Sequence, residues 1–93
     1  VTASVAERAA WLAESADAVR RVRAEGLEVV GYTWWPLFDI YEWTWRHSTA
    51  PREAHRLTMG LYELVETDDG LERRPTALVD DFRRQAADPR NHA

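Results

Sequence analysis

The sequence contains no cysteine, and it has only four glycines and four prolines among its 93 residues. The absence of cysteine excludes a disulfide framework and favours an intracellular, cytoplasmic setting. All twelve basic residues are arginine and none is lysine, a bias that indicates GC-rich coding rather than a function. No apolar run is long enough to span a bilayer, so the sequence predicts no membrane partner.

The composition and net charge of the chain disfavour further classes of binding partner. Charged residues make up 30% of the chain and hydrophobic residues 45%, which is typical of a globular protein, and the net charge is −4. An acidic chain has no general electrostatic attraction for nucleic acid or an anionic membrane. His47 and His55 lie too far apart in sequence for a typical metal site. The sequence therefore predicts no metal and no cofactor. Its length predicts one domain or a piece of one.

Two helices are predicted near the ends of the chain. Ser4 and Glu7 have the spacing of a capping box, and a helical apolar period continues to Glu25, so residues 4–25 are predicted to be helical, with Gly26 as the stop. A second helix is predicted from Pro75 to Ala87, followed by a frayed tail at 88–93.

Between the helices, residues 27–35 are predicted to form a strand that ends at Pro36. This run is apolar and β-branched after Glu28, which is typical of a strand buried on both faces in a parallel sheet. Such a strand needs parallel neighbours on both sides, and the chain does not supply them. Residues 44–56 are predicted to be a loop, Leu57–Val65 a second β-like run, and residues 66–70 a turn.

Aromatic residues are concentrated between residues 31 and 43, beside the carboxylates Asp39 and Glu42. Flat apolar rings next to hydrogen-bonding groups suit a sugar, whose C–H face stacks on an indole while its hydroxyls need fixed acceptors. The alternative is that most of these aromatics pack in a core, as large aromatics usually do. Packing is the favoured interpretation for Trp34 and Trp45, and a structural role is favoured for Asp39.

Residues 31–43 read G-Y-T-W-W-P-L-F-D-I-Y-E-W and are followed by M-G-L-Y and R-R-P-T. This order resembles the C-terminal end of a family 1 glycoside hydrolase, the β-glucosidase type of (β/α)8 barrel, whose usual motif is G-Y-x-x-W-S-L-x-D-N-x-E-W. The matching positions are Gly31, Tyr32, Trp35, Leu37, Asp39, Glu42 and Trp43. The sequence departs from the family at Pro36, Ile40, Met59 and Thr76, and in a longer interval between Trp43 and Gly60, so the precise substrate is not inherited.

The resemblance implies an α/β fold in which residues 1–93 are the C-terminal fragment of a (β/α)8 TIM barrel: last helix, strand eight, loop and final helix. It implies that Trp35 is a platform for the sugar, that Glu42 accepts hydrogen bonds from its hydroxyls, and that the Trp43 indole donates to a neighbouring hydroxyl. It also implies a cis Trp35–Pro36 peptide bond.

In such retaining glycosidases the catalytic carboxylates lie upstream, so no residue here is a catalytic candidate and the 93-residue chain alone is expected to be inactive. The implied partners are an unphosphorylated β-glycoside or oligosaccharide, and the remainder of the barrel or another copy of the chain. Two other interpretations stay open: a free-standing carbohydrate-binding module and a protein-interaction module.

Overall fold

The computed structural model describes residues 3–92 and has a mixed α/β architecture. The two helices are α1 (Val5–Ala24) and α2 (Ala77–Ala87). Two small antiparallel sheets lie between them in sequence: β1 (Ile40–Tyr41) pairs with β2 (Arg56–Leu57), and β3 (Tyr62–Thr67) pairs with β4 (Gly70–Pro75). Short 3-10 turns occupy Trp43–His47, Arg52–His55 and Pro89–Asn91.

The two helices begin and end close to the predicted positions. The Ser4 hydroxyl accepts a hydrogen bond from the Glu7 N–H at 3.1 Å, and the Glu7 carboxylate accepts one from the Ser4 N–H at 3.2 Å, which confirms the capping box. Beyond the end of α1, Gly26 has a φ of 95°, as expected of a glycine that stops a helix. Thr76 caps α2 by accepting a hydrogen bond from the Leu78 N–H at 3.2 Å.

A small core lies where α2 meets the start of the β3–β4 hairpin. Leu61, Leu78 and Val79 are buried together, and Trp34 and Phe82 pack against them. The two helices are also joined by Arg20 of α1, which contacts both α2 and the residues after it. The Arg20 side chain donates to the Gln85 and Asn91 side chains at 3.0 Å each. The 88–93 segment, predicted as a frayed tail, therefore contacts α1 at Asn91. The last residue of that segment, Ala93, lies outside the described residues.

The β3–β4 hairpin explains the predicted turn and adds a strand that was not predicted. Its register runs from Tyr62 opposite Pro75 to Thr67 opposite Gly70, and Gly70 has a φ of 117°. The β-like run Leu57–Val65 is divided between β2 and β3, with residues 58–61 outside either strand. The first two 3-10 turns lie in the predicted loop at 44–56, except for Trp43, which precedes it.

Residues 27–34 differ most from the prediction, because they belong to no helix and no sheet. Both sheets are antiparallel, so no parallel sheet forms among residues 3–92. The expectation of burial on both faces is wrong: Val30 is 93% exposed, whereas Tyr32 and Trp34 are partly buried. The physical reason is that a strand is buried by its neighbours, and the described chain provides packing on one face only.

The molecule is elongated for its size. Its dimensions are 51 × 25 × 20 Å and its radius of gyration is 16.2 Å, against about 12 Å for a compact chain of this length. The accessible surface of 6851 Å² exceeds by about 1,300 Å² the value of about 5,500 Å² that this mass gives for a compact monomer. Across residues 3–92, neither helix combines the length and apolar character needed to cross a bilayer.

Candidate functional site

The Asp39 side chain is a buried carboxylate where four other parts of the chain meet, a site called the Asp39 junction below. Asp39 is 2% exposed. Its carboxylate accepts hydrogen bonds from the Gly60 N–H at 3.0 Å, the Leu64 N–H at 3.4 Å and the Arg56 guanidinium at 3.4 Å. The Arg8 guanidinium of α1 lies 3.8 Å away. These contacts satisfy the carboxylate and confirm the structural role expected for Asp39.

Gly60 is the backbone element of this junction. Its carbonyl accepts a hydrogen bond of 2.5 Å from the buried Arg8 side chain, while its N–H donates to Asp39. A Cβ atom at this position would lie 2.4 Å from the carbonyl carbon of Phe38 and 2.5 Å from the Asp39 nitrogen. Both neighbours are backbone atoms, so the close approach of the two segments requires glycine.

Arg56 connects the junction to the loop that precedes it. Burial opposes the charge of this guanidinium, yet its hydrogen bonds and charge interactions with Glu53 and then Asp39 outweigh that effect and raise the pKa of Arg56 above its ordinary value. The Glu53 contact is 2.7 Å long. Arg56 therefore stays charged and holds the base of the loop against Asp39.

Trp35, the predicted sugar platform, is exposed at the end of the 27–35 segment. It is 69% exposed, and the Trp35–Pro36 peptide bond is cis, as the resemblance implied. Trp35 borders a cavity of about 380 Å³ whose aromatic walls also include Trp11, Tyr32 and Trp34. The neighbouring Trp34 packs inward instead, and its indole N–H donates to the Met59 carbonyl at 3.3 Å, which agrees with the packing role favoured for it.

Glu42 and Trp43 lie at the start of the 42–56 loop. The Glu42 N–H donates to the His55 carbonyl at 2.8 Å and so closes the base of this loop. The Glu42 side chain is about half exposed, with one carboxylate oxygen 3.9 Å from the His55 Nδ1. Trp43 is 84% exposed. A carboxylate and an indole are thus both presented to solvent at adjacent positions.

Glu42 and Trp43 are adjacent to each other but do not line the cavity that Trp35 borders. The cavity beside Trp35 is lined by α1 and by residues 32–35 and includes neither Glu42 nor Trp43. Two contact residues were not predicted from the sequence: His55, which contacts Glu42, and Arg56, which contacts Asp39. No local pattern signals them, because their partners lie more than ten positions away in sequence.

Within residues 3–92 no three acidic or histidine side chains are grouped in a way that could hold a metal ion. No protein-family model, curated protein or solved structure matches the chain.

Proposed function

We propose that this chain is the C-terminal part of a retaining, β-glucosidase-like glycoside hydrolase and contributes sugar-binding residues to a barrel completed by the preceding part of the protein. The observation that carries the proposal is the exposure of both indoles of the motif: Trp35 is 69% exposed and Trp43 84% exposed. Large aromatic side chains are usually highly buried. The exposure of the two tryptophans, one of them next to the exposed Glu42 carboxylate, favours stacking on a sugar over packing in a core.

Each of the three residues has a distinct part in the proposal. The Trp35 ring supplies an apolar face for the C–H groups of the sugar. Glu42 accepts hydrogen bonds from hydroxyl groups, and the Trp43 indole N–H donates to one. A phosphorylated sugar is disfavoured because its phosphate would be repelled by the Glu42 carboxylate at short range.

The proposal assigns catalysis to residues outside this chain. A retaining glycosidase uses two carboxyl groups about 5–5.5 Å apart, one as nucleophile and one as acid/base. Asp39 does not suit either role, because it is buried and its oxygens are occupied by Arg56, Gly60 and Leu64. The chain then binds the substrate, and the carboxylates of the preceding barrel strands cleave it.

The unpaired 27–34 segment also supports a larger parent fold. Val30 and Leu27 are exposed apolar residues, at 93% and 61%, on a stretch whose composition is typical of a buried strand. Flanking strands from the preceding part of a barrel would cover these side chains and pair the free backbone groups.

The test is hydrolysis of aryl β-glycosides by the protein translated from the whole reading frame, with and without Glu42→Gln. Loss of a hydrogen bond to a charged acceptor is worth about 1.5–3 kcal/mol, so kcat/KM is expected to fall by roughly tenfold to a hundredfold. The melting temperature should stay the same, because the Glu42 side chain is half exposed.

Glu14→Gln is the matched control, since Glu14 is an exposed acid on α1, outside the site. It should leave both kcat/KM and the melting temperature unchanged. A protein that binds β-glycosides without hydrolysing them would support the carbohydrate-binding module instead. A rate unaffected by Glu42→Gln would remove Glu42 from the sugar site.

A further inference from the structure

Residues 28–36 form the longest stretch of the described chain whose backbone N–H and C=O groups make no backbone hydrogen bonds within it. Hydrogen bonding in this region stops at the Leu27 N–H, which donates to Val22, and resumes at the Leu37 carbonyl, which accepts from Leu61 and Tyr62. Between them no backbone group is bonded to another residue of 3–92. A free run of N–H and C=O groups is a template for pairing with another strand.

The side chains of this stretch leave one face ready for a partner. Tyr32 is held on the inner face by a 2.6 Å hydrogen bond between its hydroxyl and that of Ser15, and by Phe82, whose ring centroid is 6.5 Å away. Gly31, Thr33 and Trp35 lie on the opposite, exposed face. A groove of about 820 Å³ separates residues 27–32 from Val19, Phe82 and other helix residues, so the helices do not cover this stretch.

We infer that the free chain forms a symmetric dimer in which residues 27–34 of two copies pair as antiparallel strands. The surface in excess of a compact monomer, about 1,300 Å², is larger than the roughly 800 Å² that each partner of a stable complex buries. A second copy presents the same unpaired edge, and a two-fold axis across that edge gives antiparallel strands. This dimer is a property of the 93-residue chain alone, because in the proposed barrel the same backbone groups would pair with flanking strands, and it does not depend on sugar binding.

The sequence of the segment is compatible with pairing to itself. A two-fold axis at residue 31 sets Gly31 opposite its own copy, Val30 opposite Tyr32 and Val29 opposite Thr33. Glu28, the one charged residue of the segment, then faces Trp34 rather than its own copy. The two carboxylates lie at opposite ends of the paired strands, so like charges are not opposed.

Sedimentation velocity of the 93-residue chain from about 1 μM to about 1 mM covers affinities from tight to weak. The expected result is a shift from the monomer mass of 10.8 kDa toward twice that value as concentration rises. Hydrogen exchange supplies a second readout on the unmodified chain: the amides of residues 29–32 should exchange more slowly as the dimer fraction rises. A monomer throughout the range, or exchange independent of concentration, overturns the inference.

Val30→Lys tests the location of the interface. Val30 is 93% exposed, so the variant loses almost no contact within the monomer, and circular dichroism checks that it stays folded. Its dimer dissociation constant should rise by about tenfold or more, because each copy loses an apolar contact and gains an ammonium group at the interface. Leu71→Lys is the control, an exposed leucine of β4 that should leave dimerisation unchanged. Equal affinity of the Val30→Lys variant and the unmodified chain would refute the proposed interface.

Discussion

Gly60 is the position where one added methyl group is expected to do the most damage. In a Gly60→Ala variant the new Cβ would meet Phe38 C at 2.4 Å, Asp39 N at 2.5 Å and Phe38 Cα at 2.8 Å. All three are backbone atoms, so the two segments must separate. Overpacking costs about 1–3 kcal/mol. The separation also weakens the Asp39 and Arg8 hydrogen bonds to Gly60, and a bond to a charged group is worth about 1.5–3 kcal/mol.

The expected loss is therefore about 3–5 kcal/mol, a large part of the roughly 5–14 kcal/mol available to a chain of this length. The melting temperature should fall by at least about 12 °C, measured by circular dichroism at low protein concentration. Gly31→Ala is the matched control, because a Cβ at Gly31 meets no atom within 4 Å, and it should change stability by about 1 kcal/mol or less. Equal stability of the two variants would refute the close-packed junction.

Two further predictions concern charges. Asp39→Ala removes the acceptor that faces the buried Arg8 and the Gly60 N–H, and it should lower the free energy of unfolding in urea by about 3–5 kcal/mol; a change below 1 kcal/mol would show that the junction contributes little. Hydrogen bonds from the Arg90 side chain and N–H lower the pKa of Asp88 to about 2 from its ordinary value of 3.8. Because the folded-state pKa is the lower one, the stabilisation is complete above pH 3.8 and is lost as the pH falls through about 2. An NMR titration of the Asp88 carboxyl group in the unmodified chain and in Arg90→Ala measures it, and identical midpoints would contradict the assignment.

The helices could be predicted because their signals are local. The Ser4 and Glu7 capping box marks the start of α1, and Thr76 lies at the start of α2. Strand β4 was missed because its residues, which include Glu72, Arg73 and Arg74, lack an alternating apolar pattern. Its extended conformation comes from pairing with β3, which is information held by another part of the chain.

The candidate site was only partly accessible from the sequence. The motif predicted a binding role for Trp35, Glu42 and Trp43, and all three side chains are exposed, as such a role would require. The contact between Arg8 and Gly60 joins residues 52 positions apart, and no pattern within either segment specifies it. Burial of the 27–34 segment was overestimated for a related reason, since residue type shows what a strand prefers to bury but not whether a neighbour is present.

Because the 42–56 loop is closed at its base, the stability of the rest of the chain depends little on the sequence of the loop. The Glu42 N–H bonds the His55 carbonyl, and β1 pairs with β2 directly below. Arg52 and Glu53, near the end of the loop, contact Tyr41, Arg56 and Glu66. Residues 43–51 are all exposed, so they make few contacts that a substitution could break. Because the entropy of closing a loop grows only slowly with its length, this segment can be lengthened, shortened or exchanged at small energetic cost. Selection could then change the surface beside Trp43 while the Asp39 junction stays as it is.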